Sequence, residues 1–115
     1  MQGLSIVVAA ADPERFRSAL EVAAANAALD RPTRLFLQAQ AAPLLAQGSR
    51  REAAPGMPTI TEMLQEAIAL GAKISICQTG LGLAGLEAAS LPPGIETEGL
   101  LSFLAGRGGD QLLMV

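Results

Sequence analysis

The 115-residue sequence contains no histidine, no tryptophan, no tyrosine and a single cysteine. Lack of histidine removes the usual general base, the usual proton shuttle and the commonest metal ligand together. With only Cys77 in its place, a zinc or iron–sulfur site within one chain is all but excluded, and an internal disulfide is impossible. Three phenylalanines are the only aromatic residues although half of the chain is hydrophobic, so most of the core must be Leu, Ile, Val and Ala. Basic residues are also few. Eight Lys and Arg against eleven Asp and Glu leave a net charge of −3, which offers no basis for holding nucleic acid or an anionic membrane. The densest basic spot, Arg50-Arg51, is followed at once by Glu52 and reads as a solvated loop. No apolar run approaches the roughly 18 residues of a membrane span. The first residues lack a basic stretch ahead of an apolar one, so no signal peptide is expected. A cytoplasmic, reducing location follows, with Cys77 a free thiol or a transient intermediate.

What is present alternates between two patterns. Leu4 to Ala10 is a continuous apolar run rich in β-branched residues, as in a strand covered on both faces. Asp12-Pro13 reads as an N-cap followed by the first helical residue, and Phe16, Leu20, Ala23 and Ala27 then recur at helical spacing as far as the Asp30-Arg31-Pro32 break. Thr33 to Gln38 is a second short strand, and Pro43 to Ala46 a candidate short helix. Residues 47–58 have no periodicity; a loop of that length is a surface excursion or a lid. Thr59-Ile60-Thr61-Glu62 fits a capping box, and Ile60, Met63, Leu64, Ala67 and Ile68 give an amphipathic helix that Gly71 stops. Glu62 and Glu66 share its outward face, a poor place for acid–base work.

Lys73 to Cys77 predicts a third strand, followed by a glycine turn and a helix from about Leu81 to Ala88. Pro92-Pro93-Gly94 breaks the chain, Ile95 to Thr97 suits a short edge segment, Gly99 to Ala105 a short helix, and Gln111 to Val115 a last apolar strand. Strands and helices alternate without repeat or linker. The expectation is one α/β domain over residues 1–115, with a mostly parallel sheet of four or five strands sandwiched by helices.

Chemistry concentrates where the third strand ends. Gly80-Leu81-Gly82-Leu83-Ala84-Gly85 matches G-x-G-x-x-G between a strand and a helix, the pattern that seats a dinucleotide pyrophosphate. Too little chain follows it for a second mononucleotide half, and Pro92-Pro93 cuts its helix short. Glu96 and Glu98 stand closer than the ~20-residue spacing of a ribose contact. Nucleotide binding is therefore the weakest of the readings. The thiol is the stronger candidate. Cys77 falls where the strand leaves the sheet, and the backbone N–H groups of Gln78, Thr79 and Gly80 would favour a thiolate or a persulfide anion there. If the strands are parallel, Asp12, Gln38 and Gln40 line the same edge. The plain alternative makes Cys77 a small buried hydrophobe.

The order strand, cysteine, Thr/Gly turn and helix, approached by a helix ending in Leu70-Gly71-Ala72, resembles the DsrE/DsrF-like family. The resemblance extends over the apolar first strand, the Pro-initiated helix, the mid-chain loop and the last apolar strand, and is most specific from Met63-Leu64-Gln65-Glu66-Ala67 through Leu86. It implies a small flavodoxin-like three-layer α/β domain that assembles into homotrimers or hexamers. It also implies a sulfur-relay role, in which the cysteine matching Cys77 holds sulfur as a persulfide. Family members often carry a basic residue just before the glycine matching Gly85; here that residue is Ala84. With no second cysteine to resolve an intermediate, sulfur would come from one protein thiol and pass to another. Donor and acceptor proteins, and no cofactor, are the expected company. The alternative is an oligomeric binding module with a structural cysteine, since so apolar a small chain needs cover between subunits.

Overall fold

The computed structural model describes residues 2–45 and 55–115. Most of the 47–58 loop, with Arg50 and Arg51, lies outside the described residues. Five strands form one sheet: β1 (Leu4–Val8), β2 (Thr33–Leu37), β3 (Lys73–Cys77), β4 (Ile95–Glu98) and β5 (Gln111–Met114). Their order is β4-β3-β2-β1-β5, and every neighbouring pair is parallel. Helices α1 (Pro13–Ala28), α2 (Ile60–Ala69), α3 (Gln78–Ala84) and α4 (Leu100–Ala105) intervene, with a 3₁₀ helix at Ala39–Leu45 and a 3₁₀ turn at Ala88–Ser90. The expected α/β three-layer sandwich is therefore the fold observed.

Two differences from the sequence reading are local. The short helix after β2 begins at Ala39 and ends at Leu45; Pro43 is accommodated within it because a 3₁₀ run asks little of the backbone donor that proline lacks. The helix after Cys77 starts at Gln78 and ends at Ala84, not at Leu81 and Ala88. Gly85 stops it in the left-handed conformation at φ 69°. Its neighbours close the ring, Leu86 N–H donating to Leu81 O at 2.9 Å and Gly85 N–H to Gly82 O at 3.3 Å.

Elsewhere the caps lie where the residue types place them. Asp12 accepts hydrogen bonds from the N–H groups of Glu14 and Arg15, and Pro13 opens α1. At α2, Thr59 Oγ1 accepts from Glu62 N–H at 3.1 Å while Glu62 Oε1 accepts from Thr59 N–H at 3.0 Å. These bonds to Thr59 hold the Glu62 carboxyl below its ordinary pKa of 4.5. Gly71, at φ 111°, ends α2.

The strand order explains the layers. β1, β2, β3 and β4 step in one direction across the sheet, and right-handed crossovers set α1, α2 and α3 on one face. The connection from β4 to β5 returns to the far side of β1, so the same handedness puts α4 on the opposite face. The large core lies on the first face, where Ile6, Val8, Leu35, Leu37, Ile74 and Ile76 meet Phe16, Leu20, Leu64 and Ala67. On the second face Val7, Phe36 and Phe103 form a small cluster, the two rings stacking with centroids 5.0 Å apart.

One arginine ties that thinner layer down. The Arg34 guanidinium lies 4.1 Å from the centroid of the Phe103 ring. It donates to Phe103 O at 2.6 Å and to Ser5 Oγ at 3.2 Å, and Ser5 Oγ donates to Asp110 Oδ2 at 3.2 Å. Arg34 thus stacks under α4 and satisfies a carbonyl at its open carboxyl end. Arg34 was not singled out in the sequence, where it is one charge in a short strand.

Candidate functional site

Cys77 is the last residue of β3 and the N-cap of α3, with φ −63° and ψ 126°. Its extended backbone still belongs to the sheet, while its carbonyl begins the helix. No side chain caps the first N–H groups of α3, which therefore open toward the sheet's carboxyl edge. The thiol is free and half-buried.

Side chains alternate along β3. Ile74 and Ile76 point into the large core, so Ser75 and Cys77 point to the α4 face. Cys77 there packs against the cluster of Val7, Phe36 and Phe103. Parallel register aligns Ser75 with Glu96 and Cys77 with Glu98, and residues in register share a face. The half-buried Glu98 is thus the neighbour of Cys77 on the edge strand. The sequence spacing weighed Glu98 only as a ribose contact. Its true place depends on β4 pairing with β3, which no local pattern reveals.

The glycines of the G-x-G-x-x-G stretch have separate jobs. Gly80 is buried in the first turn of α3, where a Cβ would sit 2.8 Å from Ala39 Cα and 3.0 Å from Ala42 Cβ. It allows α3 to press against the 3₁₀ helix. A Cβ at Gly82 meets nothing within 4 Å, and Gly85 is the left-handed stop. Gln78, Thr79 and Gly80 are therefore the opening turn of a helix, and not a glycine turn ahead of one. The Gln78 and Thr79 side chains are exposed.

The remaining edge residues are placed as follows. Gln38 comes one rung beyond the registered pair Leu37–Ile76, level with Cys77, and its N–H donates to Val8 O at 3.0 Å. It is half-buried. Gln40 is exposed within the 3₁₀ helix. Asp12 shares the carboxyl edge, but its carboxylate is engaged by the α1 N–H groups and by Arg15 at 3.7 Å. Ala84 is half-buried against the large core. Arg31, Arg34, Lys73 and Arg107 flank the starts of strands, at the edge remote from Cys77; Lys73 is four residues back along β3, about 13 Å.

Clefts open elsewhere on the surface. One of about 280 Å³ lies between α1 and α2, lined by Arg17, Leu20, Glu21, Met63 and Glu66 among others. Another of about 370 Å³ lies at the amino edge beside Gly3, Asn26 and Gln111. Among the described residues no three Asp, Glu or Cys side chains converge as a metal site would need, and no helix is long and apolar enough to cross a membrane.

No protein-family model matches the sequence, and no curated protein matches it significantly. Its fold does have a counterpart among solved structures. The crystal structure of the ychN protein from E. coli matches with a TM-score of 0.69 over 100% of each chain, at 22% sequence identity. At this identity the likeness is one of fold, and the small α/β domain with a parallel sheet expected from the sequence is the architecture the chain adopts.

Proposed function

We infer that the chain is a sulfur carrier of the DsrE/DsrF-like kind, with Cys77 holding sulfane sulfur as a persulfide and passing it to a partner protein. The observation that carries this reading is the position of Cys77. A half-buried free thiol ends an interior strand of a parallel sheet and starts a helix whose first N–H groups have no side-chain cap. The carboxyl edge of a parallel sheet is where α/β folds of this type carry their chemistry, and the fold shared with the ychN protein supports the family.

The chemistry needs no cofactor. The Cys77 thiol gives its proton to solvent, and its sulfur attacks the terminal sulfur of a donor persulfide. A new S–S bond forms, the donor's S–S bond breaks, and the donor leaves as a thiolate. In the second step an acceptor thiolate attacks the same terminal sulfur and Cys77 leaves as the thiolate, so no net oxidation occurs. Partial burial against Val7, Phe36 and Phe103 shields the persulfide from bulk water while leaving a side open to a partner's cysteine. On this reading the N–H groups of Gln78, Thr79 and Gly80, at the start of α3, stabilise the anion, and Gln38 stands on the adjacent rung. Such exchange suits a reducing cytoplasm, where Cys77 stays a thiol, and subunits assembled as trimers or hexamers would supply the remaining walls.

The test is intact-mass measurement after incubation with a low-molecular-weight persulfide. Wild type should gain one sulfur atom, lose it to dithiothreitol, and gain none as Cys77→Ser. Equal addition to both proteins, or none to wild type, refutes the reading. The apolar contacts of Cys77 favour one second reading, a structural cysteine in an oligomeric binding module; on it, Cys77→Ser changes stability and no sulfur is taken up.

A further inference from the structure

The two edges of the sheet are not alike. β4 reads Ile95-Glu96-Thr97-Glu98 and follows Pro92-Pro93-Gly94. Acidic side chains and nearby prolines are the means by which edge strands avoid pairing with other chains. β5 reads Gln111-Leu112-Leu113-Met114 and carries no charge, no proline and no bulge. Its Leu112, Leu113 and Met114 side chains are 44%, 39% and 65% exposed.

We propose that β5 is a self-pairing edge, through which two copies of this chain join as an antiparallel, two-fold dimer with a continuous sheet. The inference is independent of the sulfur reading. It follows from which backbone groups are free. Gln111 N–H donates to Gly3 O at 3.0 Å, Val115 N–H to Val7 O at 2.8 Å, and Ala9 N–H to Val115 O at 2.9 Å. In a parallel pair alternate residues turn their backbone groups to the same neighbour. The odd-numbered residues therefore bond to β1, and Leu112 and Met114 present N–H and C=O to the open edge.

A two-fold axis through Leu113 satisfies both residues at once. Leu112 of one copy then faces Met114 of the other as a hydrogen-bonded pair, and the reverse pair forms across the axis. Registers centred on Leu112 or Met114 leave one of these residues without its partner or set Asp110 against Met114. The axis through Leu113 also keeps each face consistent. Leu112 and Met114 share the face of Ser5 and Val7, while Leu113 shares the face of Ile6 and meets Leu113 of the second copy. Apolar residues oppose apolar ones, and no like charges meet, as an isologous contact requires. A foreign strand could use the same free backbone groups, but the match of this strand to itself selects a second copy.

Two variants test the pairing. Leu112→Lys with Met114→Lys guards the edge at exposed positions and should halve the particle mass seen by light scattering, relative to wild type. Leu113→Cys, made in a Cys77→Ser background, places two thiols directly opposite at the axis. Residues there form a non-hydrogen-bonded pair with Cα atoms about 4.5 Å apart, within disulfide reach. With glutathione disulfide as oxidant, itself reduced to two glutathione thiols, this variant should crosslink into a dimer at least tenfold faster than Leu101→Cys on the exposed side of α4. A monomeric wild type, a mass unchanged by the lysines, or crosslinking no faster than the control overturns the proposal. If the lysine variant fails to fold by circular dichroism, the crosslinking comparison decides alone.

Discussion

Gly80 and Gly82 lie two residues apart in the same helix, and the same substitution should move stability in opposite directions. Replacing a helical glycine by alanine ordinarily stabilises by about 0.5–1 kcal/mol, because alanine loses less backbone freedom on folding. At Gly82 the new Cβ meets nothing within 4 Å, so Gly82→Ala should show that gain. At Gly80 the Cβ falls 2.8 Å from Ala39 Cα, 3.0 Å from Ala42 Cβ and 3.1 Å from Ala39 O. Two of those atoms are backbone, so no rotamer can relieve the overlap and α3 must move off the 3₁₀ helix. Overpacking of this kind costs about 1–3 kcal/mol, enough to outweigh the propensity gain. We expect Gly80→Ala to be destabilised by a net of about 1–2 kcal/mol. At this chain length a kcal/mol corresponds to roughly 4 °C in Tm. Urea unfolding of the three proteins, with equal m-values, gives the order directly. A Gly80→Ala protein as stable as wild type would refute the packing argument and restore a turn-forming role for this glycine. Since Cys77 caps α3, the same variant should also change the rate at which iodoacetamide alkylates the thiol, whereas Gly82→Ala should not.

Three further outcomes follow from the geometry. Arg34→Lys keeps the charge but cannot both stack on Phe103 and hold two acceptors; it should lose about 1–2 kcal/mol in urea unfolding, and a double-mutant cycle with Phe103→Leu should show coupling of about 0.5–1 kcal/mol. Asp30 sits at φ 59° after the end of α1, where a side chain is strained and a negative charge opposes the helix dipole, so Asp30→Gly should stabilise by about 0.5–1 kcal/mol in the same assay. Glu62 has its pKa lowered by folding, so its contribution is present above its unfolded pKa of 4.5 and is lost as pH falls through the folded value. The stability difference between wild type and Glu62→Ala should therefore shrink in acid, and a difference independent of pH would rule out the charged capping box.

Local order was legible in the sequence because its causes are local. Asp12-Pro13 and Thr59–Glu62 carry their hydrogen-bonding partners within one turn, and the buried stripe Phe16, Leu20, Ala23 and Ala27 follows from helical spacing alone. The apolar runs of β1 and β3 announced a sheet covered on both sides, and the break after Ile76 put the thiol at its edge. The boundary of α3 was misplaced for a physical reason as well. Glycine is a poor helix former in isolation, so Gln78-Thr79-Gly80 reads as a turn, yet here Gly80 is held in the helix by close contact with Ala39 and Ala42, residues near 40 in a different element.

Composition and spacing by themselves determined the α/β class, the caps, the impossibility of a disulfide within one chain, and the place of Cys77 along it. Tertiary structure alone decided the face on which that cysteine stands. Lys73, Ser75 and Cys77 alternate with Ile74 and Ile76, but alternation does not say which layer covers which face until Ile74 and Ile76 join the core beneath α1 and α2. Register then set Glu98 beside Cys77, Arg34 under Phe103, and the unpaired groups of Leu112 and Met114 at an open edge. Each of those juxtapositions joins residues far apart in the chain, and they exist only once right-handed crossovers have ordered the strands.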